Sequence, residues 1–174
     1  MLQRERAGDA RRAGIERFIA GNYPALPSFW QDKPADRLAR ELVDNSDRPA
    51  GVAPDQAHSW LLVDGAGGIA GLLQLLEGYP TAASWYVGLL VLERGRRGQG
   101  EGSRVVRELQ DGADRAGIAE LRAAIDLANV AALRFWHRLG FVRIEKIVDR
   151  PLGFTLIELV DRRAPAARAS PSPG

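Results

Sequence analysis

The sequence predicts one mixed α/β domain, in which helices flank a central β-sheet. Three observations lead to this prediction. Strand-like and helix-like segments alternate in the second half of the chain, with a strand–helix–strand crossover around the glycine-rich run 98–102. The segment 85–92 is apolar on both faces, which is typical of a strand in the middle of a sheet. The chain of 174 residues, 45% of them hydrophobic, is long enough to form one core.

The first half of the chain is predicted to contribute a short strand, two helices and a hairpin. Apolar residues at helical spacing mark the helices, and a proline in the first turn suits the second one. Alternating and apolar runs on either side of a glycine-rich turn mark the hairpin. The predicted elements are a strand at 2–6, helices at 9–20 and 34–43, and strands at 60–63 and 69–76.

The second half is predicted to hold the central strand, two helices and three further strands. Asn129 is a suitable N-cap for the last helix, and Gly140 is a suitable stop after it. Phe141 would then fold back onto that helix, as a Schellman ending requires. The predicted elements are strands at 85–92, 121–127, 141–148 and 154–160, and helices at 103–116 and 129–139.

Domain organisation and location follow from composition. Residues 1–163 are predicted to form the single domain, and the Ala/Pro/Ser-rich tail 164–174 is predicted to be disordered. No apolar run is long enough for a membrane span, and the charged N-terminus lacks the apolar stretch of a signal peptide. With no cysteine in the chain, a cytoplasmic protein is expected.

The charge distribution argues against nucleic-acid binding. The formal net charge is only +2, although the pI is near 9.4, and acidic and basic residues are interleaved. Nucleic-acid binders usually concentrate positive charge on one face or tail. The sequence leaves the oligomeric state open, a homodimer included.

A glycine-rich run follows the predicted strand 85–92 and opens the predicted helix 103–116. Glycines at alternate positions let backbone N–H groups approach a bulky anion, and the helix start adds unpaired N–H groups and the positive end of its dipole. The Rossmann pattern fails because Ser103 stands where its third glycine would fall, and the P-loop pattern fails because no lysine follows. The run predicts a phosphate or pyrophosphate site, with a solvated loop as the alternative.

Two motifs in this region resemble the signatures of the GNAT superfamily of acetyl-CoA-dependent N-acetyltransferases. One is Arg97-Gly98-Gln99-Gly100-Glu101-Gly102 after the strand residues Leu90-Val91-Leu92. The other is Asn129-x-x-Ala132-x-x-Phe135-Trp136-x-x-Leu139-Gly140-Phe141. Both lie on the expected elements, and the predicted element order extends the similarity over most of the chain. The resemblance implies a GNAT-like mixed, mostly antiparallel central sheet of about six to seven strands flanked by helices.

The resemblance also implies a site for acetyl-CoA. Backbone groups near Leu90 and Leu92 would pair with the pantetheine arm like an added strand, and a main-chain N–H near Leu92 would polarise the thioester carbonyl. Asn129 would contact the cofactor beside its pantetheine or thiol end, and Arg138 would lie near the adenosine phosphates. Backbone N–H groups of one continuous run would bind the pyrophosphate: Arg97, Gly98, Gln99, Gly100, Glu101, Gly102 and Ser103.

One cofactor position departs from the family pattern. Many members carry a tyrosine that protonates the leaving thiolate, and this chain has Trp136 there. An indole N–H donates a hydrogen bond but is no acid at physiological pH. The proton then comes from another group or from water, or the thiolate leaves without an acid.

The acceptor side carries fewer signals. An attacking amine must be deprotonated, commonly through a carboxylate or a chain of waters. Glu77 and Asp126 end strands next to the central one and are the candidate general bases, with solvated strand-end carboxylates as the alternative. Tyr79 and Tyr86 are candidates for lining the acceptor pocket, with ordinary half-buried packing as the alternative.

Other chemistries find little support in the residues. The only histidines, His58 and His137, are far apart and have no cysteine beside them, so no metal site is expected. No Gly-x-Ser-x-Gly elbow marks an α/β-hydrolase.

The leading hypothesis is therefore an N-acetyltransferase that moves an acetyl group from acetyl-CoA to a primary amine on a small molecule, peptide or protein. Because the chain has no cysteine for an acetyl-enzyme, the amine would attack directly in a ternary complex. A non-catalytic acyl-CoA sensor or interaction module with the same fold is the second hypothesis. A nucleotide-binding enzyme of another α/β class is the third.

Overall fold

The structure is a computed structural model, and it describes residues 2–27, 30–149 and 155–163. Seven strands and four α-helices are formed by these residues. The strands are β1 (Gln3–Arg6), β2 (Ala57–Val63), β3 (Ile69–Glu77), β4 (Ser84–Leu92), β5 (Glu120–Asp126), β6 (Arg143–Asp149) and β7 (Thr155–Arg162). The helices are α1 (Arg12–Asn22), α2 (Ala35–Asp44), α3 (Glu101–Arg115) and α4 (Val130–Arg138).

All seven strands join one mixed, mostly antiparallel sheet in the order β1-β2-β3-β4-β5-β7-β6. The prediction that segment 85–92 is central is confirmed, because β4 is the fourth strand of the seven. Only β4 and β5 pair in parallel, and α3 makes the crossover between them. A parallel pair needs such a long connection, whereas antiparallel neighbours can be joined by a short turn, as β2 and β3 are.

Helices cover both faces of the sheet. On one face α1 and α2 bury Ile15, Phe18 and Leu38 against β2, β3 and β4. On the other face α3 and α4 bury Val106 and Trp136 against the middle of the sheet. The chain thus forms a three-layer α/β arrangement around two apolar clusters.

Several predicted boundaries shift by a few residues. A short 3₁₀ turn occupies residues 9–11, so α1 begins at Arg12. Strand β2 begins at Ala57 and not at Trp60, because the pairing with β3 continues to the pair Ala57–Leu76. Helix α3 begins at Glu101, two residues before the predicted start, because the conformation of Gly100 already makes it the N-cap.

The end of α4 is confirmed in detail. Gly140 has a φ of 96°, and its N–H donates to the carbonyl oxygen of His137 (3.1 Å). The N–H of Phe141 donates to the carbonyl oxygen of Trp136 (3.2 Å), and the two rings pack with centroids 4.7 Å apart. These bonds complete a Schellman ending, and β6 therefore starts at Arg143 and not at Phe141.

Some predictions fall outside the described residues. The first residue of the predicted strand 154–160, the turn at 151–153 and the tail 164–174 belong to this group. None of the helices in the described ranges has the length and apolar composition that crossing a bilayer requires.

Candidate cofactor and acceptor site

The site is built where the two central strands separate. Strands β4 and β5 pair over only four residues each, Ser84–Val87 with Glu120–Ala123. Beyond Val87 the described residues of β4 continue to pair with β3, but not with β5. A cleft therefore opens between the C-terminal ends of two parallel strands, which is a common position for ligand sites in α/β proteins.

A β-bulge marks the point of separation. Gln74 of β3 pairs with Leu89, and the next residue, Leu75, pairs with Val87, so Gly88 has no partner in this ladder. A bulge bends its strand and increases the local twist, and bulges are frequent beside functional sites. Here it turns the second half of β4 away from β5.

The cleft has a volume of about 400 Å³. Its walls come from the α1–α2 connection, from β4 and β5 after they part, and from the start of α4. Among the expected site residues, Leu90, Asp126, Asn129 and Trp136 line it. The α1–α2 connection, which closes one side, contributes Pro24, Ala25, Leu26, Pro27 and Gln31.

The glycine-rich run lies at the end of β4 and leads into α3. Gly98 and Gly100 have φ values of 77° and 80°, which favour glycine, and a side chain at either position would meet no atom within 4 Å. The N-cap of α3 is Gly100, which has no side chain that could bond the N–H groups of the first turn. The N–H groups of that turn lack intrahelical acceptors, and open space lies beside the loop. These features fit a diphosphate in the loop.

Arg97 is held by the protein. Its Nε donates to the carbonyl oxygen of Leu92 (2.8 Å), and an Nη donates to Oδ1 of Asn22 (3.1 Å). Burial, together with the nearby charge of Arg94, lowers the pKa of the Arg97 guanidinium. The Arg97 side chain thus connects the end of α1 to the end of β4. Because its guanidinium already bonds these two groups, the backbone N–H groups of the run are the donors available to a ligand.

Arg96 connects the loop to the β2–β3 hairpin. An Nη lies 2.5 Å from Oδ2 of Asp64, and the other Nη lies 3.5 Å from Oε1 of Glu101. Oε2 of Glu101 is buried without a hydrogen-bond partner among the described residues. The loop is therefore fixed from both sides.

Two residues of the second motif occupy the cleft wall. Oδ1 of Asn129 accepts a hydrogen bond from the Ala132 N–H (3.0 Å), which confirms the predicted N-cap of α4. Trp136 is 7% exposed and packs edge-to-face on Phe135 and Phe141. Trp136 therefore belongs to the hydrophobic core and also lines the cleft.

The expected acceptor residues do not come together. Asp126 lines the cleft, and its Oδ1 accepts the Ala128 N–H (2.9 Å). Oε1 of Glu77 lies 3.3 Å from Nε2 of His58. Tyr79 and Tyr86 pack edge-to-face at 5.4 Å, against the small apolar cluster around Val52. Within the described chain, Asp126 alone of the four predicted acceptor residues lines the cleft.

The remaining predictions concern Arg138 and metals. Arg138 lines a separate apolar cavity between α4 and β6, together with Val142 and Ile144. Over residues 2–27, 30–149 and 155–163, no group of three or more His, Cys, Asp or Glu side chains is arranged to hold a metal ion.

Sequence reasoning missed Gly88 and Gln74. A glycine inside an apolar strand signals a bulge or a close approach of another group, so Gly88 carried a usable signal. Gln74 is the one polar residue within Leu72–Leu76, and the side chain of a buried strand is expected to be apolar.

Comparisons with known proteins agree with this geometry. A family model described as the acetyltransferase (GNAT) family matches residues 12–141. No curated protein matches the chain.

Many solved structures are similar to the chain. One is a GNAT-family protein from Desulfovibrio desulfuricans, 18% identical, with 93% of this chain and 99% of that chain covered and a TM-score of 0.71. Another is a GCN5-related N-acetyltransferase from Kribbella flavida, 23% identical, with 93% and 98% covered and a TM-score of 0.67. A third is an aminoglycoside 6'-N-acetyltransferase in complex with coenzyme A, 14% identical, with 93% and 96% covered and a TM-score of 0.65. At these identities the likeness establishes the fold.

Proposed function

We propose a specific reaction on the premise that the chain belongs to the GNAT family of acetyltransferases and is therefore a transferase. The chain moves an acetyl group from acetyl-CoA to a primary amine of a small molecule, a peptide or a protein. The observation that carries the proposal is the separation of β4 from β5 after Val87, in the half of β4 that leads to the glycine-rich loop. In this proposal one elongated acetyl-CoA molecule occupies both the cleft and the loop.

The proposed cofactor site has two parts. The N–H groups of residues 97–103 bind the pyrophosphate, supported by the open space at Gly98 and Gly100. The edge of β4 after Gly88 binds the pantetheine arm. The amide groups of this arm pair with the backbone of β4 where β5 no longer does. The bound cofactor supplies a thioester, whose carbonyl carbon accepts the amine.

The amine nitrogen attacks this carbon directly, because the chain holds no cysteine that could carry the acetyl group. The new C–N bond forms, the C–S bond breaks, and the thiolate of CoA leaves. Trp136 lines the cleft, and its indole has no acidic proton to give. Water therefore protonates the thiolate in this proposal.

Asp126 is the proposed proton acceptor on the amine side. It is the predicted carboxylate that lines the cleft, whereas Glu77 is engaged with His58. A carboxylate at the open end of β5 can take the proton of the attacking amine directly or through a water.

A non-catalytic sensor of acyl-CoA is the second candidate. The indole at position 136 favours it, since this chain lacks the tyrosine acid that many family members carry. Such a protein would bind acetyl-CoA in the same cleft and release no thiol.

The experiment that tests the proposal measures free thiol from acetyl-CoA in the presence of the purified chain. Benzylamine, putrescine and dialanine serve as the panel of primary amines. We expect thiol release that depends on both the chain and the amine. Binding of acetyl-CoA without release for any amine would favour the sensor.

A further inference from the structure

A buried amide lies beside the bulge that opens the cleft. Gln74 is only 4% exposed, and its Nε2 has no hydrogen-bond partner among the described residues. Leaving a buried donor without a partner costs its full desolvation free energy, so each such group in a protein calls for a reason.

The carboxamide of Gln74 lies directly against Gly88, a residue of the cleft lining. A Cβ at position 88 would lie 2.8 Å from Oε1 of Gln74, closer than atoms of this kind approach. The amide thus occupies the space that a side chain at 88 would fill. Because Gly88 itself lines the cleft, the Oε1 end of Gln74 lies next to that lining.

The surroundings of Gln74 are mostly apolar. Leu72 and Leu89 belong to the cluster beneath α1 and α2, into which Leu26 also packs. Ser59, the register partner of Gln74 on β2, already hydrogen-bonds Oδ1 of Asn45 (2.8 Å). No described residue bonds Oε1 of Gln74 either, and Oε1 is the atom that lies against Gly88, so a ligand in the cleft is the natural partner for the amide oxygen.

We infer that Gln74 positions the amine acceptor, an inference that rests on the proposed function. Oε1 of Gln74 accepts a hydrogen bond from an N–H of the attacking amine, and this directs the nitrogen lone pair at the thioester carbon. As the C–N bond forms, the nitrogen becomes positively charged and its N–H becomes a stronger donor. Since hydrogen bonds to charged groups are about twice as strong as neutral ones, the interaction strengthens towards the transition state. Gln74 takes up no proton.

Two substitutions remove this contact in different ways. Gln74→Leu keeps the size of the side chain and removes the acceptor oxygen. In Gly88→Ala residue 74 remains a glutamine, but the new Cβ at position 88 displaces its carboxamide. We expect both to lower kcat for the amine roughly 10-fold to 100-fold. The thermal shift caused by acetyl-CoA should stay unchanged in Gln74→Leu.

Stability separates positioning from a structural role. Gln74→Leu removes an unpaired buried amide, so we expect its unfolding free energy to be at least that of the natural chain. A Gln74 that served only to hold the fold would give a less stable variant. Gln74→Glu adds a third readout. Its carboxyl group accepts the same N–H more strongly when ionised, so its kcat should rise with pH through an additional ionisation that the amide of the natural chain does not have.

The control for the glycine substitution is Gly21→Ala on α1, where a Cβ meets no atom within 4 Å. It should leave kcat and KM unchanged. If Gln74→Leu and Gly88→Ala both had the kcat and KM of the natural chain, the inference would be overturned while the proposed function stands. Absence of turnover by the natural chain with every amine of the panel would overturn both.

Discussion

Gly71 of β3 is a residue whose neighbours leave no room for a side chain. A Cβ there would lie 2.6 Å from the carbonyl oxygen of Val91 and 2.7 Å from Cδ2 of Leu92. Both neighbours belong to the strand that carries the candidate site, so a change at Gly71 acts directly on β4.

We expect Gly71→Ala to lower the free energy of unfolding by about 1–3 kcal/mol, because backbone and side chain of β4 must move to admit the methyl group. Urea denaturation followed by circular dichroism measures this change. Gly21→Ala, in the last turn of α1, is the matched control, and it should leave stability unchanged or raise it by less than about 1 kcal/mol. Equal stability of the two variants would contradict the packing argument.

Residues with local signals were predictable from the sequence, and residues with distant partners were not. Asn129 and Gly140 bond within four residues of themselves, and both took the roles that their types predict. Arg97 contacts Asn22, which is 75 residues away, and no local pattern encodes that contact. For the same reason the sequence did not indicate Gln74, whose significance depends on Gly88 of the neighbouring strand.

The β2–β3 hairpin depends on one carboxylate. Oδ1 of Asp64 accepts N–H groups from Ala66 (3.0 Å) and Gly68 (2.9 Å), and Oδ2 pairs with Arg96 (2.5 Å). The backbone hydrogen bond from Gly68 is the largest influence that lowers the pKa of Asp64, and the Ala66 N–H and the Arg96 charge add to it. The hairpin turn and the glycine-rich loop are thereby tied to the same side chain.

This lowered pKa predicts a stability that depends on pH. A carboxyl whose pKa is lower in the folded state stabilises the fold fully above its unfolded value, about 3.9, and this stabilisation is lost as the pH falls below that value. Asp64→Asn should therefore be less stable than the natural chain at neutral pH, with a difference that shrinks below about pH 4.

Melting temperatures across a pH series measure this difference. Asp111→Asn, at an exposed position on α3, serves as the control for removing a carboxylate. A difference between Asp64→Asn and the natural chain that stays constant down to the lowest pH would show that ionisation of Asp64 contributes nothing.

The predicted types of the elements were right, and the errors lie at their ends. The sequence treated all three glycines of the run as a turn, but Gly102 belongs to α3, where a Cβ would lie 3.4 Å from the ring of Phe135. Gly102 packs against α4 at ordinary contact distance and takes no part in the turn. Such packing depends on a residue 33 positions away (135 − 102), so spacing alone cannot reveal it.

For the whole molecule, a bound cofactor should stabilise the folded state. A ligand at about 100 times its Kd adds about 2.7 kcal/mol, which raises the melting temperature by roughly 5–11 °C for a chain of this size. Differential scanning fluorimetry with acetyl-CoA measures the shift. No shift at saturation would contradict the proposed cofactor.

Gly100→Glu should abolish that shift. The glutamate adds negative charge beside the proposed diphosphate and disfavours the left-handed backbone of Gly100. Gly117→Glu is the control, because Gly117 has a similar φ of 69° but lies after α3, at the end opposite the loop. A natural shift in Gly100→Glu would refute the assignment of the loop.

Fold class and family were predictable because two motifs and the order of elements constrain the whole chain. The shape of the cleft was not, since it results from the bulge at Gly88 and the short pairing of β4 with β5. Neither feature belongs to any single segment.

The short joint between β4 and β5 also has a mechanical consequence. Four residue pairs join the two halves of the sheet there, whereas seven join β5 to β7. We expect a small rotation about this joint to change the width of the cleft while the other strand pairings stay intact. We infer that the width of the cleft depends on the twist between β4 and β5 more than on the volume of the side chains that line it.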